Sequence, residues 1–307
     1  MIPPAPSATA STSTTTGFSL SPGGLLLPYH VGALAALEYN QQLHPHTPIA
    51  GSSAGSIAVA AHACGISPAQ VVDATGDIAE ECQAAGGAAG RLLRPLREKL
   101  TSLITDDEFL HFQNREGRVA IAYQQVLPLY QSMHVTEFED REDLITSICH
   151  SSTFPFFTTK WPAVVDTSRP GIPRLVVDGF FAVPRARFGC PDFAQCAGVH
   201  VDRTVTISVF PQDTIRLEAS APRDCISPPY DAEDGSRQMQ TLLRQATQAS
   251  SRMEYAQIYE AGWRDAERWC REHADDENSE KEDACSSKNS NKNHEETMLV
   301  LNDAALN

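Results

Sequence analysis

The chain has 307 residues, enough to bury a full core in one large domain or two small ones, and its 41% hydrophobic content is that of a globular protein. A formal charge of −15 argues against nucleic-acid binding and against electrostatic docking on anionic membrane, so any lipid contact has to be apolar. No run approaches the roughly 20 apolar residues of a membrane span.

Residues 1–16 are rich in Ser, Thr, Pro and Ala and lack the apolar segment of a secretory signal. The first basic residue is Arg91, so a transit peptide does not fit either, and the stretch reads as a disordered leader. Phe18 to Ser21 reads as a short strand, Pro22-Gly23-Gly24 as a turn, and apolar Leu34 and Leu37 mark a helix running to Tyr39. A polar loop, Gln41 to Thr47, leads to an apolar run from Pro48 to Ala50. That run enters Gly51-Ser52-Ser53-Ala54-Gly55, and a small-residue helix, Ser56 to Cys64, leaves it with Gly65 as its stop. Strand, glycine turn, helix, strand, tight turn, helix is the opening of an α/β sheet with parallel strands.

Pro68 to Cys82 has helical periodicity and ends at Gly86-Gly87. Leu92 to Leu103 carries Arg94, Arg97 and Lys99 next to Arg91; it reads as a basic amphipathic stretch broken by Pro95, either an interfacial helix or a solvated face. Asp106 to Phe112 and Asp143 to His150 read as helices, with strands at Val119 to Tyr123 and Ser132 to Phe138 between them. Phe154, Phe156, Phe157 and Trp161 could line an acyl pocket, form an apolar lip, or pack in the core. Leu175-Val176-Val177 is an apolar strand feeding Asp178-Gly179, Val205 to Phe210 is another strand halted by Pro211, and Arg237 to Trp269 is one or two helices.

Between Glu272 and Glu296 nine acidic residues face three lysines, which predicts a disordered acidic tail over 272–307 and leaves 17–271 as the folded domain. Eight cysteines at irregular spacing, without a secretory signal, predict reduced thiols in an intracellular protein. Cys190-x5-Cys196-x3-His200 matches no common zinc spacing, and no calcium-ligand pattern occurs, so no metal is expected.

The chemistry is concentrated at Gly51-Ser52-Ser53-Ala54-Gly55. A Gly-x-Ser-x-Gly turn between strand and helix forces its serine into a strained backbone conformation with the hydroxyl standing clear at the end of a sheet. Gly51 and Gly55 fit because side chains there would collide where strand and helix backbones come close. The helix start behind Ser53 favours the negative charge that an attacked ester carbonyl develops. An ordinary Gly/Ser-rich turn before a helix is the competing meaning of the pentapeptide. A serine nucleophile also needs a base and donors for an oxyanion. Gly23 and Gly24, at a strand-to-helix turn, free backbone N–H groups; a phosphate cradle is the alternative, but no Lys follows and Gly-x-Gly-x-x-Gly is absent. Asp178 directly follows an apolar strand, which would set a carboxylate near the elbow mouth, and Gly179 lets the chain turn away. A solvated turn is the other meaning of Asp-Gly. Beside the nucleophile, Ser56 would serve the helix start and Ser52 would only fill a position.

In that order, a glycine turn, a Gly-x-Ser-x-Gly elbow and a distant strand-Asp-Gly resemble the signature of the patatin-like phospholipase family. Ser19 to Gly32, ending Tyr29-His30-Val31-Gly32, is most similar to the adipose triglyceride lipase and adiponutrin branch. Cys149 to Phe157, Val205 to Pro211 and Tyr259 to Ala266 resemble later blocks of that branch, so the likeness runs from about Phe18 to Trp269. The resemblance implies a three-layer α/β/α sandwich with a mostly parallel central sheet. It implies a Ser–Asp dyad without histidine, with Ser53 as nucleophile, Asp178 as base and the N–H groups of Gly23, Gly24 and Ala54 as oxyanion hole; Gly51, Gly55 and Gly179 support the motif. An Asp at its ordinary pKa of about 3.9 is a weak base, so burial has to raise it. The implied substrate is triacylglycerol or glycerophospholipid, with no cofactor and no nucleic acid. The implied place is cytoplasmic, peripheral on a lipid droplet or membrane.

Two residues depart from the family pattern. Phe180 stands where Gly or Ala usually follows Asp-Gly, and Pro22 stands where a glycine N–H is usual. Both motivate a second expectation, a catalytically weak lipid-surface or scaffold protein on the same fold. A third is a Ser-His-Asp esterase, which needs a late histidine; only His200, His273 and His294 follow Asp178.

Overall fold

The parallel opening read from the sequence forms the middle of an eight-stranded sheet in the computed structural model of the protein, which describes residues 15–168, 172–219, 221 and 223–273. The strands are β1 (Thr16–Leu20), β2 (Ile49–Ser52), β3 (Val119–Leu127), β4 (Gln131–Val135), β5 (Val164–Asp166), β6 (Arg174–Val177), β7 (Arg203–Ile207) and β8 (Cys225–Ile226). The helices are α1 (Leu27–Tyr39), α2 (Ala54–Ala63), α3 (Pro68–Ala84), α4 (Leu93–Leu103), α5 (Asp106–Gln113), α6 (Arg141–Ser151), α7 (Gln212–Ile215) and α8 (Gly235–Thr247). A further helical segment begins at residue 252, so the long helical stretch read near the end is two helices.

The strand order is β5-β6-β3-β2-β1-β7-β8, with β4 on β3. β1 pairs in parallel with β2 and β7, as do β2 with β3 and β7 with β8; β4 and β6 run antiparallel to β3, and β5 to β6. The central strands are buried on both faces, and β3 accordingly opens with the apolar run Val119 to Tyr123. Helices α1, α2 and α6 pack together over one face. Over β2 and β3 the opposite layer is thin: Phe193 and Cys196, in a segment of short 3-10 turns, pack on Ala50 and Ala120.

Helix starts follow local chemistry. Ser67 with Gln70 and Thr105 with Glu108 form capping boxes on α3 and α5, and Asp140 accepts from the Asp143 N–H at α6. Pro95 does not break α4 as the sequence suggested. It lies in the first turn, where a backbone N–H has no intrahelical partner to lose. The cations of α4 are paired: Arg94 with Glu98 at 2.8 Å, Lys99 with Asp77 at 2.6 Å, and Arg97 with Glu142. That favours a solvated face over an interfacial helix.

Gly32 of α1 and Gly262 of the helical segment from 252 meet backbone to backbone. A Cβ on Gly32 would be driven into the Tyr259 carbonyl, and one on Gly262 into that of Tyr29. The Tyr29 hydroxyl donates to Asp265 Oδ2 at 2.7 Å beside them. This contact brings together Tyr29 to Gly32 and Tyr259 to Ala266, two segments that are remote in the sequence.

β7 stops at Ile207, short of Phe210, because Ser208 turns the chain: its hydroxyl donates to the Phe210 carbonyl at 2.8 Å. The chain divides into residues 1–266 and 267–307; in the latter the described stretch, 267–273, is helical, with Trp269 stacked on His273. Residues 1–14 of the expected leader and 274–307 of the expected tail lie outside the described residues, and Thr16 opens β1. No described helix is long and apolar enough to cross a membrane, and the seven described cysteines are free thiols.

Candidate active site

Ser53 sits between β2 and α2 at φ 51°, ψ −123°, a left-handed backbone that costs a non-glycine residue about 1–3 kcal/mol. The surroundings over-determine it. β2 is clamped on both edges by β1 and β3. The Ser53 N–H donates to Ser151 Oγ at 2.9 Å, and the Ser151 hydroxyl donates in turn to the Ala122 carbonyl of β3 at 2.6 Å. The Ser53 carbonyl accepts from the Ser56 N–H at 2.9 Å and the Ser56 hydroxyl at 2.7 Å. Ser52, expected only to fill a position, is fully buried and donates to the Gly189 carbonyl. A Cβ on Gly51 would enter the Gly55 carbonyl, and one on Gly55 would press on the Leu20 carbonyl at 2.7 Å, so both glycines are demanded by close packing.

Asp178 arrives from the other direction. β6 is antiparallel to β3. β4 faces β3 along 121–125, so β2 and β6 must share the opposite edge of β3. Ser52 lies opposite Ala122 and Val177 opposite Gln124. Extending each strand by one residue brings Ser53 and Asp178 to the same place, opposite Tyr123. The two strands meet head-on. Gly179 closes the junction: a Cβ there would strike the Ala122 carbonyl and the Ser52 side chain.

The Asp178 side chain is fully buried. Its backbone N–H donates to the Thr153 carbonyl at 2.8 Å, and its Oδ1 accepts from the Phe180 N–H at 2.8 Å. Burial pushes the carboxyl up to about 7, against the opposing pull of the Phe180 N–H and the Ser53 hydroxyl. Oδ2 has no well-aligned hydrogen bond among the described residues, although the Ser53 hydroxyl is near enough to bias the carboxyl. Phe180 therefore supplies a donor to the acid. Its ring turns into a cluster with Phe154, Phe181 and Phe188, at centroid distances of 6.1, 5.3 and 5.5 Å.

At the glycine turn, Gly24 has φ 55°, and a Cβ there would enter the Ala246 carbonyl. The Gly23 carbonyl accepts from the Leu26 N–H at 3.0 Å, starting the 3-10 turn Gly24–Leu26 that leads into α1. His30 holds the turn from below, its Nε2–H donating to the Ser21 carbonyl at 2.7 Å; burial drops its pKa to about 4, so the ring is neutral. The Pro22 ring packs on Gly189, within 2.5 Å of where a side chain would begin there. Ser53, Ala54 and Gly24 line one slot of about 60 Å³ whose other walls include Leu27, Ile57 and Leu96. Gly23 and Asp178 are not in its wall. Phe154 and Phe157 are half-buried, whereas Phe156 and Trp161 are 67% and 70% exposed. His200, the histidine a triad would need, is exposed and pairs with Asp202 at 3.3 Å.

Sequence reasoning missed Ser151, Ser52 and His30. Ser151 is 98 positions from its partner, and no local pattern announces such a bond. Ser151→Ala strands a buried N–H and a buried carbonyl, so it should cost about 1–3 kcal/mol in denaturant unfolding and cut kcat about tenfold with KM little changed.

The family model for patatin-like phospholipase matches residues 18–185. Among solved structures the chain is similar to VipD from Legionella pneumophila, at 9% identity and a TM-score of 0.48, over 85% of this chain and 67% of VipD. It is also similar to the type III effector protein ExoU, at 13% identity and a TM-score of 0.37, over 84% of this chain and 53% of ExoU, so it spans about half of that protein. No curated protein sequence matches it. The family match takes in more than half of the chain, from the strand before the glycine turn to beyond Asp178, and the chain belongs to the patatin-like phospholipase family of lipid acyl hydrolases.

Proposed function

We propose that the chain hydrolyses acyl ester bonds of triacylglycerol or glycerophospholipid through Ser53 and Asp178. The reading rests on one observation: Ser53, held in a strained elbow, and a buried Asp178 with raised basicity end two strands that converge opposite Tyr123. Ser53 Oγ bonds to the ester carbonyl carbon as Asp178 takes its proton. The oxyanion is held by the N–H groups of Gly23 and Gly24, at the turn before α1, and of Ala54, at the start of α2. Collapse breaks the bond to the alcohol, which takes the proton from Asp178 and departs, leaving the acyl group on Ser53 Oγ. Asp178 then deprotonates a water that attacks this ester, and the fatty acid departs as Ser53 regains its proton. A carboxyl titrating near 7 can serve both halves of that cycle at neutral pH.

The motif blocks favour kinship with the adipose triglyceride lipase and adiponutrin branch. Exposed Phe156 and Trp161 supply apolar contact with a droplet or membrane surface, the only kind open to a chain of charge −15. The test is a fluorophosphonate probe with peptide mapping, run beside release of fatty acid from trioleoylglycerol and from phosphatidylcholine. An adduct on Ser53 and turnover of either lipid, unaffected by His200→Ala, is expected. Neither adduct nor turnover would replace this reading with a scaffold role.

A further inference from the structure

A second cavity, of about 330 Å³ and larger than the slot at Ser53, opens between the C-terminal halves of α1 and α2 and the residues after α5. That is within the range of small-ligand sites. Its floor is apolar, with Leu34, Leu43, Ile66 and Val71, while His62, His111 and Arg115 face it. Glu38 is the one carboxylate in its wall; it is exposed and 3.9 Å from His62 Nδ1.

Arg115 is half-buried and forms no ion pair among the described residues. Its guanidinium donates to three carbonyls through Nη1 and Nη2, at 2.5 Å to Gly117, 2.7 Å to Thr47 and 3.3 Å to His44. Burial lowers its pKa to about 10, and burial with Arg115 and His111 nearby lowers that of His62 to about 4. One cation, Arg115, without an ion pair among the described residues and set beside neutral His62 over an apolar floor, suits a single anionic group that carries an apolar tail.

A void of about 30 Å³ shares Ala61, Ile66 and Val71 with this cavity, and Leu27, Ile57 and Leu96 with the slot at Ser53. Ser53, Ile57 and Ala61 are four residues apart, so one face of α2, about 12 Å long, lines the whole row. We propose that the cavity binds a free fatty acid, its carboxylate between Arg115, His62 and His111 and its tail on the apolar floor. The proposal rests on the hydrolase reading for the supply of that acid.

The test is a titration of the full-length Ser53→Ala chain with decanoate, decanol and inorganic phosphate, following the histidine ring signals by NMR. Decanoate should saturate and shift the His62 and His111 signals, with decanol and phosphate each about tenfold weaker or worse. His62→Gln should weaken decanoate about tenfold, read on the His111 signal, and Ala35→Trp, at the cavity wall, should abolish the shifts. Decanol or phosphate binding as well as decanoate, or shifts that survive Ala35→Trp, would overturn the assignment. Binding without ester hydrolysis in the wild type would keep the site and sink the hydrolase reading; hydrolysis without binding would do the reverse.

Discussion

Ser53→Ala should lower ester hydrolysis roughly 10⁴- to 10⁶-fold, because without the hydroxyl no acyl-enzyme forms and only binding and the N–H donors remain. The expected loss is in kcat, with KM for a short-chain nitrophenyl ester little changed. The same position carries a second signal. Alanine inherits the left-handed backbone of Ser53, φ 51°, whereas glycine relieves it. Ser53→Gly should be equally inactive yet more stable than Ser53→Ala by about 1 kcal/mol in denaturant unfolding. Equal hydrolysis by wild type and Ser53→Ala would remove the nucleophile assignment.

Asp178→Asn should lower kcat about 10⁴-fold, since an amide keeps the shape but accepts no proton. Its effect on stability has the opposite sign and depends on pH. The carboxyl titrates near 7 in the folded chain and near 3.8 when free, so the folded state holds a proton that the unfolded state has released between those values. Unfolding free energy therefore falls as pH rises from about 4 through 7, because ionising a fully buried carboxyl is costly. Asparagine avoids that cost. The variant should be more stable than wild type at pH 8 by a few kcal/mol, and the gain should vanish near pH 4. Activity of the wild type should rise with pH through about 7 as the base form appears. A pH-independent stability difference would show that Asp178 is not the group ionising there.

His30, His62 and His150 act in the reverse sense. Burial lowers each to about 4, so each is neutral in the fold, and the stability this neutrality supports is lost as pH falls from about 6.5 towards 4.

Most of what places Ser53 could be read locally. Apolar Pro48 to Ala50, two glycines four apart and a small-residue helix after them dictate strand, elbow and helix within a dozen positions. The helices after Ser67 and Thr105 were legible from their periodicity, and their capping hydrogen bonds are equally local. Where partners are remote, the sequence was silent. The Ser151 bridge to the elbow and the antiparallel approach of β6 depend on what β3 holds on each edge, which no run of residues displays. β5 and β8, of three and two residues, are too short for a period to show. Pro95 misled because its position within the first turn, rather than its identity, decides whether a helix survives. Phe180 turns its ring away from the acid into an aromatic cluster while its N–H stays on the carboxyl, a split between side chain and backbone that no sequence pattern displays.

Because Ser53 and Asp178 end two strands that share one edge of β3, their separation is set by a ruler rather than by either strand. One residue added to β3 just past Tyr123 would leave the serine seated and withdraw the acid by about 3.3 Å, more than a proton can be passed. Drift in length that a surface loop can absorb has nowhere to go across those few rungs.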